Sequence, residues 1–246
     1  MIFSIPVLLW IVISTFLFGF LAWTSWILFQ QKKAWRAYAL KRKLRYQGNK
    51  LYDSPEISGS IDSYKVKIFT SEHAARDARG VRKLTTIEVS LLTYLPLGAA
   101  VASGGMVSLV DELTQLTKEF RPQVTGWDDS YIVRSRDNGV VEAFLTPERL
   151  AGIVDLMKIK NAWIILIYAM EEGLLRIDTP DPLEDPKKLD ALVRQMIDVA
   201  HILELKKGED KTLLRARTQL EDGAPKVLDI DDKVLEQGLG LELEDE

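Results

Sequence analysis

The first thirty residues, MIFSIPVLLWIVISTFLFGFLAWTSWILFQ, hold no charged side chain; the first is Lys32. Such a run must find an apolar solvent. A bilayer core takes about 20 apolar residues at about 1.5 Å rise each. Pro6 to Phe29 meets that length with some left for tilt. A cleaved signal peptide would open with basic residues, and its apolar core would end at small ones. Here Met1-Ile2-Phe3-Ser4 is uncharged, and the far end is bulky, with Trp23, Trp26, Leu28 and Phe29. A helix buried in a soluble core is rarely apolar on every face. The sequence therefore predicts a transmembrane helix, with Pro6 in its first turn and Trp23 and Trp26 in the aromatic belt at one interface.

The flank sets orientation. Lys32, Lys33, Arg36, Lys41, Arg42, Lys43 and Arg45 follow the span, and no Asp or Glu precedes Asp53. The positive-inside tendency places this flank and the domain behind it in the cytoplasm, with the N-terminus outside. Trp35, Tyr38, Leu40, Leu44 and Tyr46 lie between the charges. A continued helix would seat these aromatics among headgroups while the cations touch anionic lipid; a topology signal alone is the simpler reading. The expected membrane-interface residues are Trp23, Trp26, Lys32, Lys33, Trp35, Arg36, Lys41, Arg42, Lys43 and Arg45.

The chain has 246 residues and a net charge of −4; taking away the seven flank cations leaves −11 on the remainder. That acidity argues against nucleic acid as a partner. There is no cysteine, which excludes disulfides, thiolate nucleophiles and cysteine metal sites, and fits a reducing compartment.

Gln47 to Ser60, with Gly48, Pro55 and Gly59, reads as linker and turn. Ile61 to Phe69 alternates with Tyr64, Val66 and Ile68 on one face, a half-buried strand. Ser71 to Lys83 reads as a polar loop, and Leu84 to Thr93 as a second alternating strand. Pro96 to Met106 is taken as a turn rather than a strand of small residues; its Gly104-Gly105 has neither the lysine nor the spacing of a phosphate loop. Ser108 to Phe120 has helical spacing. Gly126 to Ser135 is a turn entering a strand, Asn138-Gly139 a hairpin turn, and Val140 to Leu145 the returning strand. Thr146-Pro147-Glu148 starts a helix reaching about Lys158. Ala162 to Met170 is a buried strand, too short for a second span. Gly173 turns the chain into a strand at Leu174 to Thr179. Asp185-Pro186 opens a long helix whose stripe from Leu189 to Leu203 should close over the sheet, with Gly208 as its stop.

These elements predict an α+β protein: one N-terminal transmembrane helix, then a mainly antiparallel sheet domain with packed helices. Its parts are the anchor (1–31), a basic juxtamembrane helix and linker (32–56), the α+β cytoplasmic domain (57–208) and an acidic, solvated tail (209–246). Within the tail, Val227-Leu228-Asp229-Ile230 and Val234-Leu235 leave room for a partner-binding segment.

The residues offer little chemistry. His73 and His201 are the only histidines, and neither has zinc-ligand neighbours at the needed spacing. Asp128-Asp129 and Asp229, Asp231 and Asp232 do not match a calcium loop. No Gly-x-Ser-x-Gly elbow occurs. No catalytic residue, cofactor or metal is expected.

The order of span, basic flank, Ile57-Ser58-Gly59-Ser60-Ile61 before a Tyr64–Ile68 strand, the Thr85–Leu91 strand, Gly126-Trp127-Asp128-Asp129-Ser130-Tyr131 and Phe144-Leu145-Thr146-Pro147-Glu148 resembles bacterial membrane-anchored proteins that carry a domain of unknown function. The resemblance covers roughly residues 30–207. It implies an anchored cytoplasmic domain and supplies no catalytic residue. Two function classes follow. One is a non-enzymatic binding or scaffold module organising a membrane or cytoplasmic protein partner at the inner membrane face. The other is a membrane-proximal enzyme or lipid-handling domain using Asp128, Asp129 or His73 in a cleft.

Overall fold

The structure, a computed structural model, describes residues 5–48, 53–74, 81–124, 126–169 and 172–217. Helix α1, Ile5–Arg42, runs without a break through the apolar stretch and most of the basic flank. It stops at Lys43, whose φ is 57°. Lys43 N–H donates to the Leu40 carbonyl and Leu44 N–H to that of Ala39. This is a Schellman stop, with a lysine at the left-handed position that glycine usually fills.

Among the described residues, nine strands make one sheet: β1 Arg45–Gln47, β2 Glu56–Ile61, β3 Tyr64–Ala74, β4 Val81–Leu91, β5 Ala99–Ala102, β6 Lys118–Phe120, β7 Ile132–Ser135, β8 Trp163–Ala169 and β9 Glu172–Thr179. Their order is β1-β2-β3-β4-β9-β8-β5-β7-β6, and every neighbouring pair is antiparallel. The fold is α+β. Register aligns like with like on one face: Ile57, Ile68, Ile87, Ile177 and Ile164 form a row across five strands, each buried. Such β-branched rows suit a pleated surface covered from above.

The cover on that face is helical. α3 (Asn138–Phe144), α4 (Pro147–Met157) and α5 (Pro186–Leu203) bring in Phe144, Ile153, Leu189, Met196 and Leu203. Residues Trp35 and Tyr38 of α1 join the same core. A smaller core lies on the opposite face, where a 3-10 turn (Gly104–Met106) and α2 (Val107–Asp111) cover β5 and β8 through Met106, Val110 and Ile165. A Cβ at Gly105 would stand 2.6 Å from the Trp163 ring, so the two glycines make room for an indole.

Several expectations hold: the Ile132–Ser135, Trp163–Ala169 and Glu172–Thr179 strands, the Thr146-capped helix, and the long helix capped by Asp185. Others are corrected. Asp62 and Ser63, at φ 48° and 73°, make a two-residue hairpin turn, so the expected Ile61–Phe69 strand is two strands. The expected Gln47–Ser60 linker contains β1's end and most of β2. Residues 71–74 and 81–83, expected as loop, extend β3 and β4; 75–80 lie outside the described residues. Ala99–Ala102, expected as turn, is buried on both faces, where small side chains let two layers approach. The Ser108–Phe120 helix shrinks to α2 followed by β6. Asn138-Gly139 is no hairpin turn: the Asp137 carboxylate accepts from Gly139 N–H and Val140 N–H and caps α3 instead. The tail's opening, Glu209–Arg215, is helix α6 with Leu213 buried. Residues 218–246, including Asp229, Asp231, Asp232 and the two apolar clusters, lie outside the described residues.

Candidate membrane-proximal site

Helix α1 has two surroundings, exposed along its apolar part and packed on the domain beyond it. Along its apolar part the large side chains stand out on every side, with Trp10, Phe16 and Phe18 each more than 70% exposed. The helix is long and apolar enough to cross a membrane. From Gln31 onward one face is buried: Gln31, Ala34, Trp35, Tyr38 and Ala39, the spacing of a single helical stripe. The Trp35 indole N–H donates to the Pro182 carbonyl at 3.3 Å. Arg42 donates twice to the Asp190 carboxylate of α5, at 2.8 and 2.5 Å. Lys41 and Arg194 stand 3.6 and 3.3 Å from the same group. Burial pushes the Asp190 carboxyl up, but the Arg42 bond and the neighbouring cations outweigh it and hold its pKa below the usual carboxylate value.

The expected interface residues therefore separate. Trp23 and Trp26 are exposed, at 65% and 60%. Lys33, Arg36, Lys41, Lys43 and Arg45 are exposed and Lys32 partly so. Trp35 is not among headgroups: it is fully buried in the domain, because an indole gains more from a packed core than from an interface. Tyr38 follows it. Arg42 is committed to Asp190.

Flanking the buried stripe, a groove of about 770 Å³ opens between α1 and β1, with Phe29, Lys32, Lys33, Arg36, Leu40 and Tyr46 in its lining and the buried Ala39 and Leu44 at its floor. Burial raises the Tyr46 phenol's pKa, against the lowering pull of Arg36. At the other end of the sheet, a cavity of about 280 Å³ is lined by Tyr94, Leu97, Leu113, Arg136 and Tyr168.

Two buried ionic knots were not visible in the sequence. Asp178, fully buried, takes two bonds from Arg176 at 2.9 and 2.8 Å and one from the Thr86 hydroxyl at 2.8 Å. His73 Nε2 stands 3.8 Å from it, and its ring meets Trp163 edge-on. β4 and β9 lie between β3 and β8 in the sheet, so the sheet coils strongly here. Arg149, 3% exposed, holds Glu209 of α6 through two bonds of 2.6 and 2.9 Å and also donates to the carbonyls of Phe144, Ile202 and Glu204. Both knots are saturated internally, which suits structure rather than turnover. Periodicity gives no sign of them.

His201 bonds the Tyr64 hydroxyl at 3.1 Å. Asp128 and Asp129 are exposed in a turn beside Trp127, whose neighbour Tyr131 bonds the carbonyl of Met157 on α4. That is the helical side of the sheet; His73 lies on the other, beside Trp163. The three do not converge. Among the described residues no group of three or more His, Asp or Glu is placed to hold a metal ion. Comparison with known protein families, with curated proteins and with solved structures finds no match for this chain.

Proposed function

We propose that this chain is a single-pass, membrane-anchored, non-enzymatic binding or scaffold module that organises a partner protein at the inner face of a bacterial membrane, with its domain in the cytoplasm. One observation carries the anchor: the apolar run and the core residues Trp35 and Tyr38 belong to one unbroken helix. A removable leader would be separable from the fold it precedes, whereas residues 31–42 supply part of this domain's core. The cationic flank supports the orientation. At the end of the sheet away from α1's apolar part, Leu92 and Tyr94 are 60% and 47% exposed beside the cavity that Arg136 lines. An apolar patch with an arginine at its edge is the composition of a protein-binding centre. The separation of Asp128 and Asp129 from His73 removes the cleft on which an enzyme reading rested.

The test has two parts. Membranes carrying the full chain are washed with high salt, then with detergent, and protease is added from each side. Retention through salt with the domain protected from outside supports the proposal; release by salt, or digestion from outside, overturns it. A photo-crosslinker at Tyr94 should then label one protein at native abundance, and a Leu92→Asp chain should lose that label. A chain that labels nothing ends the scaffold reading.

A further inference from the structure

We infer that the groove between α1 and β1 is a site for the phosphate headgroup of an anionic phospholipid, built from Lys33, Arg36 and Tyr46. The inference rests on the membrane reading above and adds a ligand class to it.

The cations of the flank are not equivalent. Arg42 and Lys41 turn toward Asp190, whereas Lys33 and Arg36 form no ion pair among the described residues and line the groove with Lys32. Among the described residues no acidic side chain lines it, so an anion entering meets one sign of charge there, focused by low-dielectric walls. The depth fits. Phe29 closes the apolar run; Lys33 and Arg36 lie four and seven residues further, roughly 6 and 10 Å along the axis at 1.5 Å per residue. The headgroup layer beneath a hydrocarbon core is about 5–8 Å thick on each side, so Lys33 lies within it and Arg36 just below, where its long apolar stem lets the guanidinium snorkel back.

The walls suit a lipid rather than a free ion. Phe29, 58% exposed, stands on the same helical face as the cations and offers apolar surface to an acyl chain. Tyr46 brings a hydroxyl able to donate to a phosphate oxygen. Gly48 leaves it space: a Cβ there would lie 2.9 Å from that hydroxyl and 3.3 Å from the Pro55 Cα. Guanidinium, ammonium and phenol around one anion give charge-assisted hydrogen bonds of different geometry, which a diffuse basic flank lacks.

The full chain in detergent is titrated with phosphatidylglycerol or phosphatidylcholine and bound lipid is counted by native mass spectrometry. One phosphatidylglycerol should be retained in preference to phosphatidylcholine. A Lys33→Gln, Arg36→Gln double variant should lose roughly tenfold to thirtyfold of that preference, and a Tyr46→Phe variant a smaller part. A Lys41→Gln, Arg45→Gln control, equal in charge but outside the groove, should keep it. Equal losses in both double variants, or no preference in the natural chain, overturn the site. So does displacement by millimolar inorganic phosphate, which would put a soluble anion there. A chain that resists salt extraction yet shows no preference sinks the site and spares the anchor; one released by salt sinks the anchor itself.

Discussion

Helix α1 is one element with two halves, and they differ in what surrounds them rather than in how they are built. Residues 6–29 present Trp10, Phe16, Phe18, Trp23 and Trp26 outward; residues 31–42 turn Trp35 and Tyr38 inward and leave Lys33, Arg36 and Leu40 outside. The same residue types thus carry opposite tasks a few turns apart. A tryptophan in the first half meets whatever solvent the helix is given. One in the second half is a core residue of the domain.

The largest expected effect breaks or sharpens that contrast directly. Trp35→Ala should cost about 3–5 kcal/mol of domain stability, the usual result of emptying a buried aromatic site, while Trp23→Ala should change it by less than about 0.5 kcal/mol. Denaturant unfolding of the full chain in detergent, followed by near-ultraviolet circular dichroism, measures both. Similar costs would mean the halves are not distinct.

Arginines repeat the contrast in graded form. Arg149→Ala leaves a partly buried Glu209 carboxylate and three carbonyls without their donor, and should cost about 3 kcal/mol. Arg42→Ala, at the joint between α1 and α5, should cost about 1–3 kcal/mol. Arg36→Ala should stay within about 0.5 kcal/mol. A ranking in any other order, by the same unfolding measurement, contradicts the burial seen here.

Acid should loosen the second half of α1 before the sheet. Arg149 and the Lys206 backbone N–H hold the Glu209 carboxyl below its ordinary value despite partial burial, and Arg42 does the same for Asp190. A carboxyl with a depressed folded pKa stabilises the fold above its unfolded value of about 4, and that contribution is lost as pH falls through the folded value. Hydrogen-exchange protection, taken relative to the intrinsic rate, should therefore fall below about pH 4 in residues 34–42 and in α6 ahead of β4 and β9. Asp190→Asn should remove the pH dependence at α1 and leave that at α6. Uniform exchange across the domain would refute the local account.

A smaller effect concerns the second core. Gly105→Ala puts a Cβ against the Trp163 ring and should cost about 1–3 kcal/mol by overpacking. Gly208, with nothing within 4 Å, cannot serve as its control, since its φ of 83° strains any side chain. Ser130→Ala, in an exposed turn, serves instead and should be near neutral.

Strong local signals were legible in the sequence. The Thr146 and Asp185 caps, the apolar Trp163–Ala169 strand and the stripe of α5 each follow from a few adjacent residues. Asn138-Gly139 misleads because a hairpin turn and a helix start use the same residue types, and the Asp137 carboxylate decides between them. Asp62-Ser63 gives a weaker turn signal than Asn-Gly, so the hairpin there hides inside an alternating run. Ala99–Ala102 is silent because small residues in a central strand and in a turn look alike until the layers on both sides are known.

For the candidate site the division is sharper. Its cations and aromatics, and the length of the apolar helix, are properties of the chain alone, since counting charges and hydrocarbon requires no fold. Which of them face outward is a tertiary decision. Asp190 on α5, distant in sequence, draws Arg42 and Lys41 to one side, and the core claims Trp35 and Tyr38. Of the residues left over, Lys32, Lys33 and Arg36 with Tyr46 from β1 are gathered at one groove. Linear order states what a helix carries; the elements packed against it determine which face remains exposed.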